Sequence, residues 1–116
     1  MKNLVVSKSK FLISMAILFS ILSIINSCKK TTDPGTNEVF IQGMAFGPST
    51  ITVTSGMTIT WTNKDGVPHT VTSNTGLFDS GTINANGTYS HLFSTAGTFP
   101  YKCTLHPSMT ASVVVN

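Results

Sequence analysis

The sequence predicts an all-β domain, a sandwich or barrel of about seven or eight short strands. Three observations point there. From Glu38 onward, runs rich in Val, Ile, Thr, Phe and Tyr alternate with clusters of Gly, Pro, Asn and Ser. Inside those runs apolar and polar residues alternate with a period of two, as a strand with one buried face requires. No stretch of this region keeps the 3.6-residue periodicity of a helix.

Glu38 to Gln42 reads as the first strand. In Thr50 to Thr54, Ile51 and Val53 share one face and the threonines the other. Ser55-Gly56 turns the chain, and Met57, Ile59 and Trp61 then alternate with Thr58, Thr60 and Thr62. Asn63-Lys64-Asp65-Gly66 has turn composition. Val67 to Ser73 is the next predicted strand, carrying His69, and Leu77 to Ile83 reads as short and irregular. Thr88 to Ser94 and Gly97 to Cys103 are expected to form a hairpin through Ala96-Gly97, and Thr110 to Val115 closes the domain. The core expected from this pattern is Ile51, Val53, Ile59, Trp61, Val71, Phe78, Phe93, Phe99, Tyr101 and Val113. A domain of this length is marginal on burial alone, so a tightly bound metal would add to its stability.

The first 27 residues are expected to be an export signal rather than part of the domain. Lys2, Lys8 and Lys10 form a basic start, and Phe11 to Ile25 is an apolar run broken only by serines. That run is shorter than the roughly 20 residues of a membrane span. Ile25-Asn26-Ser27-Cys28 resembles the lipobox of bacterial lipoproteins, which implies a lipidated Cys28 as the first mature residue. Residues 28–37 then read as the lipidated N-terminus and a polar, flexible tether, with the folded domain over 38–116. The alternative pairing of Cys28 with Cys103, the only two cysteines, is open to an exported chain.

Charge excludes one class of function. The formal charge of +3 counts the three lysines of the signal. Beyond it, Lys29, Lys30, Lys64 and Lys102 balance Asp33, Glu38, Asp65 and Asp79, and there is no arginine. A neutral domain without a basic stripe offers nothing to nucleic acid.

The stretch Cys103-Thr104-Leu105-His106-Pro107-Ser108-Met109 concentrates a thiol, an imidazole and a thioether in one loop, spaced Cys-x-x-His-x-x-Met. Taken singly, Cys103 reads as a buried structural thiol, His106 as a surface histidine and Met109 as core filling. Together, two residues between each pair let one tight loop gather three donors around a point, and Pro107 stiffens it. As a strand end, Cys103 shares its face with Phe99 and Tyr101 and so points inward. His69, between Val67-Pro68 and Val71, is the fourth candidate ligand; alone it reads as a core histidine. Two imidazoles, a thiolate and a weak axial thioether suit blue-copper electron transfer. Zinc takes cysteine and histidine but seldom a thioether.

These residues, with Met44-Ala45-Phe46-Gly47-Pro48, Thr60-Trp61-Thr62-Asn63, Phe78-Asp79-Ser80-Gly81 and Ala96-Gly97-Thr98-Phe99-Pro100-Tyr101, resemble the small blue-copper proteins of the plastocyanin and azurin superfamily, the cupredoxins. The short ligand loop is most similar to that of amicyanin. The resemblance runs from Val39 to Val115. It implies a Greek-key β-sandwich binding one type 1 copper, with His69, Cys103 and His106 as in-plane ligands and Met109 as the axial ligand. Thr70 stands where an asparagine often follows the first histidine, and Lys102 where plastocyanin has an exposed tyrosine. His91 matches no ligand position and is expected to be a partly buried strand residue.

The expected function is therefore a one-electron carrier, not an enzyme. A copper enzyme needs a further, histidine-rich copper site, and only His91 is left unassigned. A copper carrier or scavenger on the same fold is the alternative. The expected setting is the bacterial cell envelope, periplasmic or surface-facing, with a monomer touching a membrane through its lipidated N-terminus. Its redox partner would dock at the edge of His106, among Pro107, Met44 and Phe46.

Overall fold

The structure, a computed structural model, describes residues 34–116. The export signal, Cys28 and the first part of the tether lie outside the described residues. Eight strands follow in chain order: β1 (Glu38–Ile41), β2 (Phe46–Gly47), β3 (Thr50–Val53), β4 (Met57–Asn63), β5 (Thr72–Ser73), β6 (Thr88–Phe93), β7 (Gly97–Lys102) and β8 (Thr110–Val115). They make two four-stranded sheets, ordered β2-β1-β4-β6 and β3-β8-β7-β5. β1 lies parallel to β4 and β3 parallel to β8, while the remaining pairs are antiparallel.

The alternation in sequence becomes the inside and outside of a sandwich. In β3, Ile51 and Val53 are buried and the threonines exposed. In β4, Ile59, Trp61 and Asn63 point inward. Trp61 sits at the centre with no exposed surface. Its ring lies 5.6 Å from Tyr101 of the opposite sheet, edge to face, and its indole N–H donates to the Tyr101 hydroxyl at 3.1 Å. Burial pushes that phenol up to about 12, so it stays neutral in the core. Phe46, Phe78 and Phe93 complete the aromatic layer. Every expected core residue is buried except Phe99, which is half-buried and packs against the others.

Three expectations are corrected. β6 and β7 are not a hairpin: β6 pairs with β4 in one sheet and β7 with β8 in the other. A period of two reveals which face of a strand is apolar but not which strand lies beside it. Here both apolar faces meet across the sandwich, with Phe93 and Phe99 5.4 Å apart. The strand expected over Val67 to Ser73 is reduced to β5, Thr72–Ser73. Upstream of it Pro68 lacks an N–H for a ladder, and His69 makes only an isolated bridge to Ile83. Phe46 does not line the rim but is buried in the short β2, its ring 4.8 Å from Tyr101. His91 is partly buried as expected, its ring 4.8 Å from Phe78 and 4.9 Å from Phe93. That apolar setting pushes its imidazole pKa down.

Candidate metal centre

The site lies where β7 ends and the chain turns back into β8. Cys103 follows β7 directly and keeps the inward direction of Tyr101, so its thiol is fully buried. The turn is closed by its own main chain. Cys103 N–H donates to Met109 O at 3.0 Å, and Met109 N–H donates to His106 O at 2.9 Å. These bonds close the loop, in which His106 is half-exposed and Met109 buried.

His69 arrives from the other side of the sequence. The turn after β4 is organised by Asn63, fully buried. Its amide donates to Val67 O and Ile83 O at 2.9 and 3.0 Å, and its carbonyl oxygen accepts from Asp65 N–H at 2.9 Å. His69 is then clamped on both sides of its backbone: N–H to Ile83 O at 3.1 Å, and Ile83 N–H to His69 O at 2.8 Å. The imidazole has no exposed surface.

Three of the four expected ligands thus converge. His69 Nδ1 stands 3.8 Å from Cys103 Sγ and His106 Nδ1 stands 3.7 Å from it. The three donor atoms lie within 4.8 Å of one another. An ion with bonds of about 2.0 Å to nitrogen and 2.3 Å to sulfur, lying in their plane at 120°, needs N–S separations of about 3.7 Å; a tetrahedral angle needs about 3.5 Å. Both N–S separations therefore suit one ion that Cys103 would share with each imidazole. The backbone brings Met109 beside this group through its bonds to Cys103 and His106.

The electrostatics favour a thiolate. Burial alone would raise the Cys103 pKa, but the Thr70 N–H donating to Sγ at 3.3 Å and the two imidazoles outweigh it and lower the pKa to about 6. On the far side of His69, Nε2–H donates to Asp65 Oδ2 at 2.9 Å. Burial opposes ionisation of Asp65 as well, yet the amides of Met44 and Gly43 and the His69 ring bring its pKa below the ordinary carboxylate value. An ionised carboxylate only accepts hydrogen bonds, so Nε2 of His69 carries a proton and Nδ1 is the ring nitrogen turned toward the sulfur.

Comparison with known proteins agrees with this chemistry. The family model for copper binding proteins of the plastocyanin/azurin family matches residues 34–116. The chain belongs to that family. Amicyanin-alpha of Methylorubrum extorquens is 36% identical over 86 residues, covering 70% of this chain and 72% of the relative. Among solved structures, the Cu(I) form of an amicyanin variant aligns with a TM-score of 0.67 at 32% identity, over 74% of this chain and 87% of that one. A purple cupredoxin from Nitrosopumilus maritimus aligns at 0.63 with 29% identity, over 68% of this chain and 98% of its own length.

In this cupredoxin Thr70 ties down the ligand loop as the asparagine of its position would, and Asp65 is a site residue that the sequence did not suggest. Thr70 fills the asparagine position: besides its N–H to the thiol, its Oγ1 accepts the Thr104 N–H at 2.8 Å and so ties the His69 segment to the Cys103 loop. Asp65 looked like one more polar turn residue. The available signal was its place four residues before His69, across a turn containing Gly66 and Pro68. Among the described residues, every buried side-chain nitrogen and oxygen has a hydrogen-bond partner.

Proposed function

We propose that this cupredoxin carries single electrons on one copper, which His69, Cys103 and His106 would hold with Met109 as a fourth, weak ligand. Bound copper supplies the one-electron Cu(II)/Cu(I) couple. The protein supplies the ligands and the restraint. Cys103 gives up its proton near neutrality and offers a thiolate. His69 and His106 present Nδ1 from segments whose main chains are already hydrogen-bonded, so little is left to rearrange when the charge changes.

The observation that carries this reading is the 3.7–3.8 Å spacing of both Nδ1 atoms from a buried thiol of lowered pKa. Burial of His69, Cys103 and Met109 supports a resident ion over an exchangeable one, and so an electron carrier over a copper carrier. Among the four, His106 alone retains partial exposure, so its edge is the place for electrons to enter and leave. Val67 and Leu105, on the loops that carry His69 and Cys103 to Met109, and Met44, on the β1–β2 turn bonded to Asp65, are large apolar side chains at 44, 49 and 45% exposure. Such a surface suits brief docking of a redox protein. The chain works as a monomer and is not itself an enzyme.

The N-terminal 27 residues and Cys28 place this domain, on our reading, outside the cytoplasm in the cell envelope, tethered to a membrane through a lipidated Cys28. Residues 38–116 are the copper-binding domain. Protein-film voltammetry tests the carrier role. A reversible one-electron wave that survives repeated cycling is expected; release of the metal on reduction would favour the carrier of copper instead.

A further inference from the structure

Asp65 sits at a junction that the ligand set does not require. Its Oδ1 accepts the Gly43 N–H at 2.7 Å, and its Oδ2 accepts both the Met44 N–H at 3.0 Å and His69 Nε2–H at 2.9 Å. The two amides are consecutive, and both residues adopt left-handed backbone, with φ of 64° and 60°. For methionine that conformation is unfavourable by roughly 1 kcal/mol or more, so something must hold it. Successive amides converging on one point form an anion-binding concavity. Here the anion is the chain's own carboxylate, 85% shielded from solvent and anchored through its N–H to Asn63.

We propose that Asp65 is a positioning residue that joins the Gly43-Met44 loop to His69 and keeps that imidazole electron-rich toward the metal. The inference rests on the copper reading above. One carboxylate serves two ends. Toward the loop, it holds the exposed Met44 side chain of the docking surface in place. Toward His69, it fixes the ring's rotation and the Nε2–H tautomer, so that Nδ1 is the only nitrogen free to bind. Negative charge at Nε2 strengthens donation from Nδ1, which favours the more highly charged Cu(II) and lowers the reduction potential. The loop and the ligand therefore move as one body, and a partner pressing on Met44 bears on His69 through two hydrogen-bonded contacts.

The test uses the full chain with Asp65→Asn and Asp65→Glu. Asparagine offers one carbonyl oxygen to three donors and turns an N–H₂ toward them; glutamate restores the carboxylate. In the copper-loaded protein, Asp65→Asn is expected to raise the reduction potential and weaken Cu(II) binding by about 10- to 100-fold, and Asp65→Glu to recover most of both. In the metal-free protein, ¹⁵N NMR is expected to show His69 protonated at Nε2, with slowly exchanging Gly43 and Met44 amides. Asp65→Asn should accelerate that exchange. An unchanged potential and affinity in Asp65→Asn, or equal damage from asparagine and glutamate, would overturn the proposal. Should the wild type bind no copper, the function proposed above falls, and the metal-free measurement still decides: unchanged Nε2 protonation and exchange in Asp65→Asn would overturn the Asp65 junction on its own terms.

Discussion

The main-chain N–H of Thr70 donates a hydrogen bond to the thiol sulfur of Cys103 at 3.3 Å, joining residues 33 positions apart. The same residue receives Thr104 N–H on its hydroxyl at 2.8 Å. One side chain and one amide thus span both halves of the site, and the imidazole that precedes Thr70 is held against the sulfur that precedes Thr104.

Thr70→Val keeps the shape of that side chain and its amide but removes the hydroxyl. The Thr104 N–H then loses its acceptor in a part-buried position, a cost of about 1–3 kcal/mol. Chemical denaturation of the metal-free protein should show that loss. Copper should leave the variant faster than the wild type, because the Cys103 loop is no longer tied to the His69 segment. A midpoint unchanged within error would mean that the two segments are held together by packing alone.

The Cys103 thiol makes metal-free stability depend on pH. Its folded pKa is depressed from an ordinary 9.0 to about 6. Below about pH 6 both folded and unfolded thiols are protonated and the group adds nothing. As pH rises from about 6 to 9 only the folded form ionises, and stability climbs by at most roughly 1.4 kcal/mol per pH unit. Above 9 the gain is complete. Asp65, whose pKa is also depressed from its ordinary 3.8, contributes above that value and loses its contribution as the solution is acidified further. Denaturation midpoints from pH 5 to 9 should rise in the wild type and lie flatter in Cys103→Ser.

The Trp61 to Tyr101 hydrogen bond crosses the core from one sheet to the other. Trp61→Phe leaves the Tyr101 hydroxyl buried without its donor and should destabilise by at least about 1–3 kcal/mol. Adding Tyr101→Phe removes the stranded hydroxyl, so the double variant should be destabilised by less than the sum of the two single changes. Strict additivity in a double-mutant cycle would show that the bond carries no energy beyond the packing of the rings.

Much of this centre was legible in the sequence because its hook is local. Cys103, His106 and Met109 fall within one turn, and Phe99 and Tyr101 set the direction of the thiol. The strands were legible where period two was long, as in Met57 to Thr62. Strand neighbours were not: Phe93 and Phe99 read equally well as a hairpin or as two faces meeting across a core. β2 was too short to show any period. Asp65, and the bonds that Thr70 makes, were illegible for a different reason. A polar residue in a turn or after a histidine reads as solvated, and only the folded chain shows Asp65 turned onto His69 and Thr70 onto Thr104.

The central claim is that the Cys103 thiolate and the imidazoles of His69 and His106 would together hold one copper ion. The measurement closest to it is the visible and electron paramagnetic resonance spectrum of the Cu(II)-loaded chain beside that of Cys103→Ser. The expected result is an intense sulfur-to-copper absorption band with unusually narrow copper hyperfine splitting, both abolished by Cys103→Ser. A pale adduct with the wide splitting of ordinary tetragonal copper, unchanged when Cys103 is replaced, would contradict it.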